Sequence, residues 1–116
     1  MGRITVKVAE VLLSVTSRAG ELAVRMGGEE FMLILPGSTQ RDVMNIAEVV
    51  QGRLAEAAIQ HRTSPVANIL TVSQGAVSCV PQLSAEAADI IEAADKALYG
   101  SKNNGRNRAT LSPYAP

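Results

Sequence analysis

Tryptophan is missing from this sequence, cysteine and histidine occur once each, and only three aromatic rings are present, Phe31, Tyr99 and Tyr114. So few rings leave no stacking platform for single-stranded nucleic acid. The lone Cys79 excludes an internal disulfide and a thiolate metal cluster; in its β-branched surroundings it reads as a small buried apolar group. His61, within His61-Arg62-Thr63-Ser64-Pro65, has no Cys or His neighbour to complete a ligand set and reads as a loop residue. Net charge is missing too, because 11 basic and 11 acidic residues cancel. No global field then draws the chain to nucleic acid or anionic lipid. No run approaches eighteen apolar residues, and the first residues lack a charged-then-apolar leader. Neither nucleic acid nor a membrane segment is expected, and a reducing, cytoplasmic setting is.

What is present is enough apolar material for a core: 47% of 116 residues are hydrophobic, with no internal repeat and no low-complexity linker, so residues 1–116 form one domain. Its organising stretch is Arg25-Met26-Gly27-Gly28-Glu29-Glu30-Phe31. The flanks Leu22–Met26 and Phe31–Leu35 are strand-like and the second is stopped by Pro36-Gly37. Two such runs joined by glycines read as a β-hairpin, because glycine takes the positive φ of tight turns. Two carboxylates at its exit are more than a turn needs. Glycines that let a ligand approach the backbone, beside two hard oxygen donors, suit a phosphate carrying Mg²⁺. An ordinary turn with solvated acids is the alternative.

Upstream, Ile4, Val8, Val11, Leu12 and Val15 fall on one helical stripe. Ile4–Val8 also alternates as a strand would, but the longer helical period prevails. After the hairpin, Ser38 or Thr39 caps a helix with Val43, Ile46, Ala47, Val50, Leu54 and Ala58 inward. Asn68 to Val80, β-branched and interrupted by Gly75, predicts two strands or one bulged strand. Ser84 is expected to cap a further helix with Ala87, Ile90, Ile91, Ala94, Ala97 and Leu98 inward and Asn104-Gly105 at its exit. Arg108–Leu111 makes a last short strand before a frayed tail. The order helix, hairpin, helix, strands, helix, strand predicts an α+β domain, an antiparallel sheet with flanking helices.

Gly27-Gly28-Glu29-Glu30-Phe31 resembles the signature of the GGDEF domain, the diguanylate cyclase family. Four further patterns keep its order. Arg18-Ala19-Gly20-Glu21 lies where the family has Arg-x-x-Asp, and Leu35-Pro36-Gly37 follows the hairpin as it does there. Thr71-Val72-Ser73-Gln74-Gly75 is similar to its Thr-x-Ser-x-Gly strand. Ala94-Asp95-Lys96-Ala97-Leu98-Tyr99, then Lys102-Asn103-Asn104-Gly105-Arg106-Asn107, is similar to its ending. The resemblance covers almost the whole chain but only the later part of the family domain. It implies a nucleotidyl-cyclase, ferredoxin-like fold whose first central strand would lie before Met1.

The resemblance further implies that two GTP molecules, one on each of two domains meeting face to face, are joined into cyclic di-GMP, each 3′-hydroxyl attacking the other's α-phosphorus and expelling pyrophosphate. Positioning and charge neutralisation dominate such chemistry. Gly27 and Gly28 would lie against the nucleotide. Glu29 would ligate Mg²⁺ (or Mn²⁺), and Glu30 would assist deprotonation of the attacking hydroxyl or bind metal. Lys102 and Arg106 would hold the terminal phosphates, though cations also suit a helix C-terminus by themselves. Arg18, Glu21 and Arg25 would form the site for inhibitory product. Glu21 keeps the charge of the family's Asp on a longer side chain.

Two departures bear on activity. An ungapped alignment sets Gly2-Arg3 on the family's Gly-Asp, and arginine offers guanine's N–H groups no acceptor. The missing strand also carries a metal-binding Asp and leaves its neighbours with unpaired backbone groups. A further copy, supplying a strand by exchange, or local re-pairing is the expected remedy, and the isolated chain is expected to be inactive. Gln74, where the family has an aliphatic residue, is consistent with such an altered interior. Three functions follow: a diguanylate cyclase-type enzyme, a degenerate module binding GTP or cyclic di-GMP without turnover, or a structural dimerisation fragment.

Overall fold

The computed structural model describes residues 3–27, 30–57, 71–80 and 86–112. Seven elements run in the order α1 (Arg3–Val15), β1 (Leu22–Gly27), β2 (Glu30–Ile34), α2 (Gln40–Ala57), β3 (Gln74–Ala76), α3 (Ala87–Asn103) and β4 (Ala109–Leu111). The α+β class holds, and the helical reading of the first segment prevails over the strand. Antiparallel pairing belongs to the β1–β2 hairpin, where Leu22 faces Ile34 and Arg25 faces Phe31. A parallel pair, β3 with β4, is added to it. Among the described residues these remain separate two-stranded sheets.

One apolar cluster organises the helices and the hairpin. Val8, Leu12 and Val15 of α1 meet Val50 and Leu54 of α2, with Phe31, Leu33, Ala23, Ile46 and Val72 packed around them. Of the stripe expected on α1, Val8, Leu12 and Val15 are buried and Val11 is half-buried, and Ala47, Val50 and Leu54 are the buried residues of α2. On the hairpin, the Ala23 and Leu33 face touches this cluster, whereas Leu22, Val24 and Met26 are exposed. Successive strand residues point to opposite faces, so the larger apolar stripe of β1 looks outward. Arg53 of α2 ties the two helices at the end of α1, donating to the Ser14 carbonyl at 2.9 Å and hydroxyl at 2.7 Å. A cation is thereby placed where helix carbonyls lack partners.

The start of α2 follows its sequence signal. The Asp42 amide donates to Thr39 Oγ1 at 3.1 Å while the Thr39 amide donates to Asp42 Oδ2 at 3.0 Å, a reciprocal capping box closed by Asp in place of Glu. The Thr39 amide first and the Thr39 hydroxyl second hold the Asp42 carboxyl below its ordinary range, with smaller help from Arg18 and Arg41. The start of α3 differs from expectation. Its N-cap is Glu86, with no side-chain capping bond, and the expected cap Ser84 lies outside the described residues. Its buried face is Ala93, Ala97 and Ser101; Ala87 and Ile91 are exposed. Cys79 is half-buried, while His61, Ala58 and the segment 58–70 lie outside the described residues.

Gly75 sits in the middle of β3 and forms no break there. A Cβ at that position would collide with the backbone of α3, meeting Leu98 N and Ala94 O and lying 2.7 Å from Leu98 Cα. Its missing side chain is what lets strand and helix touch. Around this contact β3 is tied on every side. The Gln74 amide donates to the Arg108 carbonyl at 2.8 Å and the Ser112 amide to the Ala76 carbonyl at 2.7 Å. Gln74 Nε2 donates to the Ala47 carbonyl of α2 at 3.0 Å, and Gln51 Nε2 to the Val72 carbonyl at 2.8 Å. The amide at position 74 thus cross-links strand to helix, a use no aliphatic residue could serve.

Candidate functional site

The hairpin turn carries the first group of expected site residues. Gly27 ends β1 with φ 136°, immediately after a register shift between Arg25 and Gly27, and pairs with Glu30. That φ favours glycine, and among the described residues a Cβ on Gly27 would meet nothing within 4 Å. The backbone here is open to a ligand. Glu30, the first residue of β2, is exposed. Gly28 and Glu29, the second glycine and the expected metal ligand, lie outside the described residues. Among the described residues no group of three His, Cys, Asp or Glu is gathered for a metal ion. The donor chemistry of Glu30, a hard and accessible carboxylate beside an unobstructed backbone, fits a divalent cation that takes one or two protein carboxylates and completes its shell with phosphate.

Lys102 and Arg106 flank the end of α3, which falls at the Asn104-Gly105 exit expected from the sequence. Lys102 occupies the last turn, exposed, and the helix finishes at Asn103 with Asn104 as C-cap. The Arg106 amide then donates back to the Ser101 carbonyl at 2.9 Å, the six-to-one bond of a Schellman ending, with Gly105 at φ 116° in the position that motif reserves for glycine. Arg106 at φ 62° and Asn107 at φ 46° continue in the left-handed region. For arginine this costs about 1–2 kcal/mol, and for asparagine less. Surrounding contacts must hold them there.

Sequence reasoning missed what anchors this end. Ser101 is fully buried; its hydroxyl donates to the Gln74 carbonyl at 2.7 Å and lies 2.6 Å from Thr110 Oγ1. One side chain thereby fastens the last turn of α3 to both β3 and β4. The signal was present in the period of small residues at 93, 97 and 101, which continues the buried face one turn beyond the apolar residues.

The Arg-x-x-acid segment forms a turn of its own. The Glu21 amide donates to the Arg18 carbonyl at 3.1 Å, with Gly20 at φ 81° in the third position, where a positive φ is needed. Glu21 Oε1 in turn accepts from the Arg18 amide at 3.0 Å. The longer acid thus reaches back to its own turn, and among the described residues no ion pair within 4 Å joins it to the Arg18 guanidinium. Arg25 stands apart on β1, lining a cavity of about 140 Å³ with Ala9, Leu12, Leu13, Ala23 and Phe31. A larger, open cavity of about 350 Å³ lies between α1 and α2, lined by Lys7, Glu10, Val11, Ser14 and Ala57. Neither of these two cavities includes Glu30, Lys102 or Arg106. Among the described residues no helix is long and apolar enough to cross a membrane.

Comparison with known proteins agrees with these local features. Residues 3–108 match the family model described as diguanylate cyclase, GGDEF domain. Diguanylate cyclase A of Treponema denticola is 41% identical over 106 residues, which are 91% of this chain and 28% of that protein. Diguanylate cyclase VdcA of Vibrio cholerae is 38% identical over 92 residues, 78% of this chain and 26% of that protein. The chain therefore spans little more than a quarter of either relative. Among solved structures, the GGDEF domain of DgcB from Caulobacter crescentus in complex with c-di-GMP superposes with a TM-score of 0.75 at 31% identity, covering 90% of this chain and 60% of that one. The active GGEEF domain of a diguanylate cyclase from Vibrio cholerae gives 0.72 at 27% identity, over 96% and 67%.

Proposed function

The chain belongs to the GGDEF family of diguanylate cyclases, and from that premise we propose a cyclase-type domain that holds one GTP and acts, with a second copy, in its condensation to cyclic di-GMP. The observation that carries this reading is the open backbone at Gly27 beside the exposed carboxylate of Glu30. The nucleotide lies against Gly27 and Gly28. Glu29 and Glu30 would hold Mg²⁺ or Mn²⁺, which would neutralise phosphate charge when bound. Glu30 also stands as the group that accepts the proton of the attacking 3′-hydroxyl. Lys102 and Arg106 balance the terminal phosphates, whose departure as pyrophosphate their positive charge assists.

In the same reading the chain by itself turns over little or no GTP. Arg3 stands where the family's guanine-accepting Asp aligns, and among the described residues β1–β2 and β3–β4 share no ladder. Incubation with GTP and Mg²⁺, with the products separated by chromatography, is the test. Mg²⁺-dependent GTP binding that is lost in Glu30→Gln supports the reading; GTP binding indifferent to Mg²⁺ and to Glu30 overturns it. Two copies are expected to associate, and a sedimentation run that finds monomer throughout the micromolar range removes that part.

A second reading, a module that binds cyclic di-GMP without turnover, is favoured by the Arg18–Glu21 turn. There the guanidinium fork extends from a backbone fixed by two hydrogen bonds and can grip guanine or phosphate. Calorimetry with cyclic di-GMP on the parent chain and on Arg18→Ala decides it. Binding of equal strength in both excludes this site.

A further inference from the structure

The geometry points to Arg108 as a positioning residue for Arg106, a role that rests on the phosphate-holding assignment of Arg106 made above. Arg106 has a Cβ and yet lies at φ 62°, followed by Asn107 at φ 46°. Asparagine tolerates that region, but for arginine it is an uncommon conformation that needs support. From the helix side, support comes through the Arg106 amide, which donates to the Ser101 carbonyl at 2.9 Å. From the other side it comes from Arg108, whose Nε donates to the Arg106 carbonyl at 3.0 Å. Both polar groups of one peptide-bonded residue are thereby held, one by each flank of the loop.

The Arg108 guanidinium lies back over the loop. A Cβ on Gly105 would stand only 2.6 Å from Arg108 Nη2 and 3.4 Å from Cζ, so the missing side chain at 105 makes room for this folded-back arginine. Gly105 then serves two needs, the positive φ of the helix ending and the seat of a guanidinium. Arg108 is fixed at its own root, because its carbonyl accepts from the Gln74 amide at 2.8 Å where β3 meets β4. Ser101, the other anchor, is bound through its hydroxyl to the same pair of strands. Arg106 is thus suspended between two points of the β3–β4 pair. Its side chain leaves from a backbone that has been set before any phosphate arrives, the condition under which a cation's contact with a ligand costs least.

The test uses Arg108→Met, which keeps the aliphatic stem and removes the donors, alongside Arg106→Ala and the double variant in the full chain. The intraresidue amide–Hα NOE of Arg106, strong when φ is positive, is expected to weaken in Arg108→Met while the unfolding midpoint stays near that of the parent. Affinity for GTP with Mg²⁺ is expected to fall about tenfold, the scale of one charge-assisted hydrogen bond, and affinity for GMP to hold. The double variant is expected to bind GTP no more weakly than Arg106→Ala. An unchanged NOE in Arg108→Met overturns the proposal. So does a double variant clearly weaker than Arg106→Ala, since Arg108 would then act on the ligand directly. Should the parent chain fail to bind GTP while the NOE responds as described, the phosphate assignment fails and the positioning of Arg106 stands.

Discussion

At the scale of single residues, glycine and arginine decide the local geometry here for opposite reasons. Gly75 is required by space, since any Cβ would overlap the Leu98 and Ala94 backbone. Backbone atoms cannot swing aside as a flexible side chain can. Gly75→Ala is therefore expected to cost at least about 2–3 kcal/mol, the upper part of the overpacking range, read as a lower urea midpoint with an unchanged slope. Gly27→Ala, by contrast, meets no described neighbour within 4 Å and only the φ penalty, so about 1–3 kcal/mol is expected. Measuring the two side by side separates crowding from backbone preference. The position of Gly75 was legible in the sequence as an interruption of a β-branched run, but its meaning was not. A one-dimensional pattern registers a missing side chain, and only the partner helix explains it. For Arg106 the helix exit at Asn104-Gly105 was legible, whereas its own positive φ had no cue in the sequence.

At the scale of elements, the helices followed from period and caps, because both signals are local. Thr39 and Asp42 form the box that starts α2, and Thr39→Ala is expected to lower stability by about 1 kcal/mol. The same cap is sensitive to acid. Asp42 has its carboxyl held below the ordinary range by the Thr39 bonds; a folded pKa below the unfolded one adds stability that is complete above the unfolded value and lost as pH falls through the folded one. Stability of the parent chain should therefore decline through the acid limb more steeply than that of Asp42→Asn, with the two converging at the acid end of the titration. Equal slopes in denaturation curves from pH 5 to pH 2 would remove Asp42 from the account. The start of α3 was misplaced because Glu86 caps it without a side-chain bond, leaving no composition cue. The parallel partner of β3 was missed for a different reason. β4 lies across the whole of α3, and three-residue strands carry too little alternation to announce their neighbours.

At the scale of the whole molecule, the weakness of the strands transfers stability to the helical cluster. A lone two-stranded pair is marginal in water, and among the described residues the two pairs share no ladder. The hairpin keeps its place because Phe31, Leu33 and Ala23 rest on α1 and α2, and Val72 before β3 rests on the same cluster. Leu54, 1% exposed, sits within it. Leu54→Ala should remove about 2–5 kcal/mol, transfer and cavity terms together. If both sheets depend on one cluster, the loss should appear equally in amide-exchange protection of α2, of the hairpin and of β3, each of which would open only with the whole. The alternative is a hairpin that opens by itself, which would leave its exchange rates untouched by Leu54→Ala while those of α2 rise. That outcome would divide the molecule into two folding units and separate the stability of the Gly27–Glu30 site from the core that carries α3 and its cations. Equal sensitivity would instead mean that the open turn and the α3 terminus, so distant in sequence, are held in register by the same buried leucine.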